Sequence, residues 1–117
     1  MDLTGKAVPK LLMNSRMKRK LMEGYRLSQN AKLDLKRIYI QGLSMYGEVQ
    51  ANKYLNDFFD RFEQLAEQPL LYPAVDEIRS GYRRSVCGVD SIYYRISSQN
   101  TVEIMAIIGQ QNTSDWL

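Results

Sequence analysis

Arginines and tyrosines crowd two neighbouring stretches, Glu77-Ile-Arg-Ser-Gly-Tyr-Arg-Arg-Ser-Val-Cys-Gly88 and Ser91-Ile-Tyr-Tyr-Arg-Ile96. A guanidinium offers paired, planar N–H donors that match a carboxylate or a phosphate, so the chemistry open to this cluster is anion recognition. Alternate residues of an extended chain face opposite ways. Arg83 and Val86 therefore take different faces, and Tyr93 and Arg95 face away from Ile92, Tyr94 and Ile96. One face of this pair is expected to pack on helices and the other to offer guanidinium and phenol groups to a partner. Arg79 and Arg83, four apart, share a strand face, Arg84 points the other way, and Arg95 lies on the adjacent strand. The competing use of the arginines is pairing with Asp76, Glu77, Asp90 and Glu103 nearby. Tyr82, Tyr93 and Tyr94 suit packing better than stacking on bases.

Other chemistries are poorly served. The chain has no histidine, which removes the side chain best matched to proton transfer near neutral pH, along with histidine triads and histidine-bearing zinc sites. No glycine-rich phosphate loop occurs. Asp57, Asp60, Glu63 and Glu67 recur at three- and four-residue steps and read as a solvated helix face rather than a metal site. The single cysteine, Cys87, ends an apolar strand pattern and reads as a structural thiol, in keeping with a reducing cytoplasm. No cofactor is implied.

The 117 residues suffice for one core, and 44% hydrophobic with 25% charged residues is ordinary for a soluble globular protein. No apolar run approaches the roughly 20 residues that span a bilayer. The net charge is +3, but residues 1–23 hold six basic side chains against Asp2 and Glu23, which leaves the remainder at −1. The folded part is near neutral, which weakens any case for direct nucleic-acid binding by it. Residues 1–23 are expected to be a basic leader, either an arm or an upstream extension with translation starting at Met17 or Met22. Residues 24–117 form the domain.

The elements that must position the arginines follow from periodicity. Tyr25-Arg-Leu-Ser28 reads as a short strand, and Ser28 or Asn30 can cap a following helix. Ala31, Leu35, Ile38, Gly42 and Met45 recur at helical spacing over residues 30–45. Gly47 breaks that helix, and a second runs from Glu48 to Glu67 with the stripe Ala51, Tyr54, Leu55, Phe58, Phe62, Leu65 and Ala66. Pro69 and Pro73 end the helical pattern. Residues 77–87, 90–97 and 101–108 then alternate as strands joined by short turns, an antiparallel meander. In the last strand Val102, Ile104, Ala106 and Ile108 should share one face. The order β-α-α-β-β-β predicts an α+β fold, a helical hairpin over one face of a small antiparallel sheet. The polar tail after Gly109 ends in Trp116-Leu117, which either folds back onto the sheet or stays exposed.

Together these residues resemble the RelE/ParE toxin superfamily of bacterial type II toxin–antitoxin systems, and its ParE branch in particular. The resemblance runs over about residues 24–110. It is carried by Leu27-Ser28 leading to Ala31 and Asp34-Leu35, by Tyr46-Gly47 with Gln50-Ala51 and Tyr54, and by Phe62, Leu65-Ala66 and Pro69. It continues through Glu77–Arg84, Gly88, Ile92–Ile96 and Val102–Ile108. The resemblance implies the fold derived above, a bacterial cytoplasmic location and a cognate antitoxin, typically a DNA-binding dimer, whose C-terminal segment wraps the toxin over apolar surface left on the helical hairpin and sheet. ParE-like members are associated with poisoning DNA gyrase, and RelE-like members with cleaving ribosome-bound mRNA.

Cleavage needs an acid or base besides arginine. Many superfamily members carry a histidine and an arginine around Gly109 and Gln111, and often a histidine where Asp90 stands. The leading expectation is therefore a gyrase-directed toxin that acts by protein binding, not catalysis. Its contact residues would be Arg79, Tyr82, Arg83, Arg84, Tyr94 and Arg95, and alanine at both Arg83 and Arg84 should reduce toxicity without unfolding. The alternatives are a RelE-type mRNA interferase and a non-toxic, antitoxin-binding relative.

Overall fold

The computed structural model describes residues 24–109. The expected leader and the end of the tail lie outside them. Six elements follow in order: β1 (Tyr25–Leu27), α1 (Gln29–Tyr46), α2 (Glu48–Glu67), β2 (Arg83–Cys87), β3 (Asp90–Ile96) and β4 (Val102–Ile108). The strand-helix-helix-meander order expected from periodicity is the observed one.

Ser28 starts α1. Its Oγ accepts the Ala31 N–H at 3.0 Å, satisfying one of the free donors at a helix start. The same hydroxyl donates to the Met105 carbonyl at 2.9 Å, and the Ser28 N–H reaches the Ile104 carbonyl at 2.9 Å. One capping residue thus fixes the helix on β4. At the other end Gly47, with φ 89°, both closes α1 and caps α2. Its N–H bonds the Leu43 carbonyl, and its own carbonyl accepts from Ala51. A single left-handed residue makes the turn between two antiparallel helices.

The sheet order is β1-β4-β3-β2. β2, β3 and β4 form the expected antiparallel meander. β1 joins the outer edge of β4 in parallel, with Tyr25 beside Val102 and Leu27 beside Ile104. The sheet is therefore mixed rather than purely antiparallel. The strand expected over 77–87 is confined to Arg83–Cys87. Ahead of it the Asp76 carboxylate accepts the Gly81 N–H at 2.8 Å, and the Val75 carbonyl accepts from Ile78 and Arg79. These local bonds close a turn over residues 75–82, with one bridge between Ala74 and Arg83 at its base.

The alternation expected for β4 also breaks. Tyr93 pairs with Ala106 and Tyr94 with Ile104, so Met105 is an extra, bulged residue. Val102 and Ile104 face the helices, but beyond the bulge it is Ile107 that does so. Ala106 and Ile108 turn to the opposite face.

Two cores result. The larger lies between helices and sheet and includes Tyr25, Leu35, Phe58, Phe62, Ile92 and Tyr94. Phe59, outside the expected stripe of α2, is buried there too. The smaller occupies the far face of the sheet, where Val75, Tyr82, Tyr93, Ala106 and Ile108 pack together. The expected phenol-bearing open face is thus a second hydrophobic layer, covered by the turn segment before β2. Met45, expected in the helical core stripe, is 60% exposed. The hairpin end of the helices borders a cleft there instead of the sheet.

Candidate functional site

The arginines divide between two faces. Arg83 shares its side of β2 with the buried Ser85 and Cys87. Its Nη1 donates to the Tyr72 carbonyl at 2.6 Å, tying the loop after α2 to the sheet. Across the ladder stands Tyr94, fully buried, whose hydroxyl donates to the Pro69 carbonyl at 2.6 Å. Burial pushes the Tyr94 phenol pKa up, partly countered by the nearby Arg83 charge. Both side chains are anchors for residues 69–72, and Tyr94 has no surface to offer a partner.

Arg84 points the other way. Its backbone N–H bonds the Pro73 carbonyl, while its side chain makes no hydrogen bond or ion pair among the described residues. Arg79 lies in the turn rather than on a strand, so it shares no strand face with Arg83. Its guanidinium sits 5.6 Å from the ring centroid of Tyr82, which is buried beneath it. Arg95 is exposed on the same far face and donates from Nε to Glu103 at 2.7 Å. Arg26 bonds the second oxygen of that carboxylate. The Arg95 hydrogen bond, with Arg26 also nearby, holds the Glu103 carboxyl below its usual range. Two guanidiniums share one carboxylate, so this corner keeps net positive charge. Of the ion pairs expected for these arginines, Arg95 with Glu103 forms, and Asp76 is spent on the Gly81 N–H.

The structure therefore brings Arg79, Arg84 and Arg95 to one side of the sheet, with Tyr82 as the apolar bed beneath Arg79. Arg83 and Tyr94 stand on the other side. Asp90 is buried and accepts the Tyr54 hydroxyl at 2.8 Å. Cys87 is also buried, which pushes its thiol pKa up and away from the reactive thiolate. No group of three or more histidine, cysteine, aspartate or glutamate side chains that could hold a metal occurs among the described residues.

Periodicity missed three features. Arg61 on α2 donates from Nη1 to Ser85 Oγ and to the Val86 carbonyl, both at 2.7 Å, closing part of the edge of β2. Asp34 and Arg37 on α1 do the same for β4 beyond the reach of β1. The carboxylate accepts the Ile107 N–H at 2.9 Å and the guanidinium donates to the Ile107 carbonyl at 3.1 Å. Desolvation raises the Asp34 pKa despite these bonds. Such long-range edge capping has no periodic signature. The third is a cleft of about 610 Å³ at the hairpin end, bordered by the last two turns of α1, the start of α2, the β2–β3 turn and Gly109. Its only trace in sequence is the apolar Met45-Tyr46 pair just before Gly47.

The helical hairpin packs on one face of a four-stranded sheet, and guanidiniums lie on the other, a small α+β fold. Residues 25–113 match the family model described as the ParE toxin of the type II toxin–antitoxin system, parDE, and the chain belongs to that family. It is 30% identical over 91 residues to Toxin ParE1 of Mycobacterium tuberculosis, covering 78% of this chain and 93% of that one. It is 34% identical over 89 residues to Toxin ParE1 of Caulobacter vibrioides, covering 76% and 91%. A solved structure described as the chromosomal ParDE TA system from P. aeruginosa matches with a TM-score of 0.66 at 18% identity, covering 75% of this chain and 96% of that one. At that identity the likeness speaks for the fold.

Proposed function

We propose that this ParE toxin acts by binding a protein target, DNA gyrase, and that its cognate antitoxin neutralises it by covering apolar surface on the helices and sheet edge. The contact set is Arg79, Arg84 and Arg95, with Tyr82 supporting Arg79 from below and Arg83 and Tyr94 holding the adjoining loop in place. The observation that carries this reading is the set of three guanidiniums on the far side of the sheet, Arg79 from the turn before β2, Arg84 from β2 and Arg95 from β3. Such a surface suits recognition of carboxylates on a partner. Histidine, the side chain best matched to proton transfer near neutral pH, is absent from the sequence, and this supports binding over catalysis. No helix among the described residues is long and apolar enough to cross a membrane, and gyrase places the action in the bacterial cytoplasm.

The test mixes purified protein with gyrase, ATP and supercoiled plasmid. Linear plasmid that depends on the protein, and disappears when the cognate antitoxin is added, is the expected result. Cuts within ribosomal A-site codons, without linear plasmid, would replace this reading with a RelE-type interferase. Neither activity from folded protein would point to a non-toxic relative that retains antitoxin binding.

A further inference from the structure

Arg26 stands on the same side of the sheet as Arg79, Arg84 and Arg95. Its neighbours in β1, Tyr25 and Leu27, are buried in the main core, so by alternation Arg26 turns to the far face. Glu103 is its partner in the β1–β4 register and also the partner of Arg95 in the β3–β4 register. Tyr82 directly precedes the Arg83–Tyr94 pair, which sets it beside Arg95, close enough to act on that charge. Arg79 lies over the Tyr82 ring. Arg26, Glu103, Arg95 and Arg79 thus form one row that crosses the sheet from β1 to the segment just before β2. At the usual strand spacing the row is about 14 Å long.

What this row shows to solvent is cationic. The Glu103 side chain is 19% exposed, whereas the Arg26 and Arg95 side chains that grip it are 50% and 47% exposed. Arg95 engages Glu103 through Nε, and neither of its Nη groups makes a hydrogen bond among the described residues. Its outer edge is therefore a two-pronged donor that fits a second carboxylate. Arg26 engages Glu103 through Nη2 and is equally open on its outer side. Two guanidiniums around one mostly covered carboxylate leave an outward positive charge at the β1 end of the row. Carboxylates spaced along an extended chain complement it, and about five residues span its length. The chain beyond the basic leader is close to neutral, so the charge is local to this face. A local row suits an acidic stretch of protein better than the continuous phosphate backbone of a duplex.

We propose that an acidic, extended segment of the protein target lies across the strands on this row, and that Arg26 is one of its contact residues. The inference rests on the far face being the partner-binding face, and it extends that face to β1. The probe is hexaglutamate, titrated into the full chain at low salt while NMR follows the arginine Nε–Hε signals, so that this face is read separately from the rest of the chain. Signals of Arg26, Arg95 and Arg79 should shift together and saturate, and hexaglutamine should leave them in place. Arg26→Ala should weaken the affinity read at Arg95 about fivefold. Arg26→Lys, which keeps the charge, should recover part of the loss. No shift at these three arginines overturns the proposal, as does unchanged affinity in Arg26→Ala. Shifts at Arg79 and Arg84 without Arg26 also overturn it, because the segment would then run along β2. Tighter, Arg26-dependent binding of a short DNA duplex overturns it in favour of a nucleic-acid backbone. Plasmid linearisation at full potency by an Arg26→Ala protein of unchanged hexaglutamate affinity discards this inference and leaves the gyrase reading standing. Arg26-dependent hexaglutamate binding without linearisation by the unsubstituted protein keeps the row and removes gyrase as its target.

Discussion

Tyr54 on α2 and Asp90 at the start of β3 are joined by a hydrogen bond of 2.8 Å that holds the β2–β3 turn against the helical hairpin. The same phenol oxygen lies 2.9 Å from the Cys87 carbonyl and accepts the Val89 N–H at 3.3 Å. All three partners flank or form one tight turn. Burial, reinforced by the Asp90 carboxylate, pushes the phenol pKa well above its usual value, so Tyr54 remains a donor throughout the physiological range. Removing the hydroxyl with Tyr54→Phe leaves a buried carboxylate without this donor and should cost about 1–3 kcal/mol. Urea denaturation of the two proteins at pH 7 measures the difference. A change below about 0.5 kcal/mol would mean that water replaces the phenol.

Gly47 and Gly88 both have left-handed φ angles, 89° and 62°, but for different structural needs. A Cβ on Gly47 would meet nothing within 4 Å, whereas one on Gly88 would lie 2.6 Å from the Tyr54 ring and hydroxyl. Gly47→Ala should therefore cost only the conformational penalty, about 1–2 kcal/mol. Gly88→Ala adds displacement of Tyr54 and should be the more damaging of the two. Thermal unfolding of both variants checks the order, and equal losses would show that Tyr54 moves aside freely.

The helices and the meander were legible because each rests on local pattern. Ser28, Gly47, Pro69 and the apolar stripe of α2 announce their roles within a few residues. The far face of the sheet was not legible. Tyr82 and Tyr93 suit packing already in the sequence, but their cover, Val75 and Ile78, depends on the Asp76–Gly81 bond closing a turn. The Met105 bulge defeats strict alternation for a related reason. It is stabilised from outside the strand, by the Ser28 hydroxyl on its carbonyl, 77 residues away in sequence. The arginines were visible as a cluster, but their division into an inward Arg83 and outward Arg79, Arg84 and Arg95 depends on where β2 begins.

Acid stability should carry a contribution from Glu103. Its carboxyl is held below the ordinary value of 4.5, first by Arg95 and then by Arg26. A group whose folded pKa is depressed stabilises the fold above its unfolded pKa, and that stability is lost as pH falls through the folded value. Unfolding midpoints in urea measured between pH 3 and 6 should therefore fall on acidification, and fall less steeply in Glu103→Gln. Both guanidiniums are about half exposed, so the effect should also weaken in high salt. Identical pH profiles for the two proteins would remove Glu103 from the account.

The division of the arginines makes the strongest functional prediction, because stability and activity should separate. Arg83→Ala removes the donor from the part-buried Tyr72 carbonyl and should destabilise the fold by about 1.5–3 kcal/mol. Alanine at both Arg83 and Arg84 should therefore lower stability as well as toxicity while the domain still folds. Arg84→Ala touches no side-chain partner among the described residues and should change stability by no more than about 0.5 kcal/mol. Combined with Arg79→Ala, it should raise the protein concentration needed for gyrase-dependent plasmid linearisation by about tenfold or more, equivalent to about 1.4 kcal/mol of binding. Urea denaturation and the cleavage assay on the same preparations separate the two effects. A folded Arg79→Ala/Arg84→Ala protein with full potency would move the target contact off this face, whereas lost potency with unchanged stability would place it there.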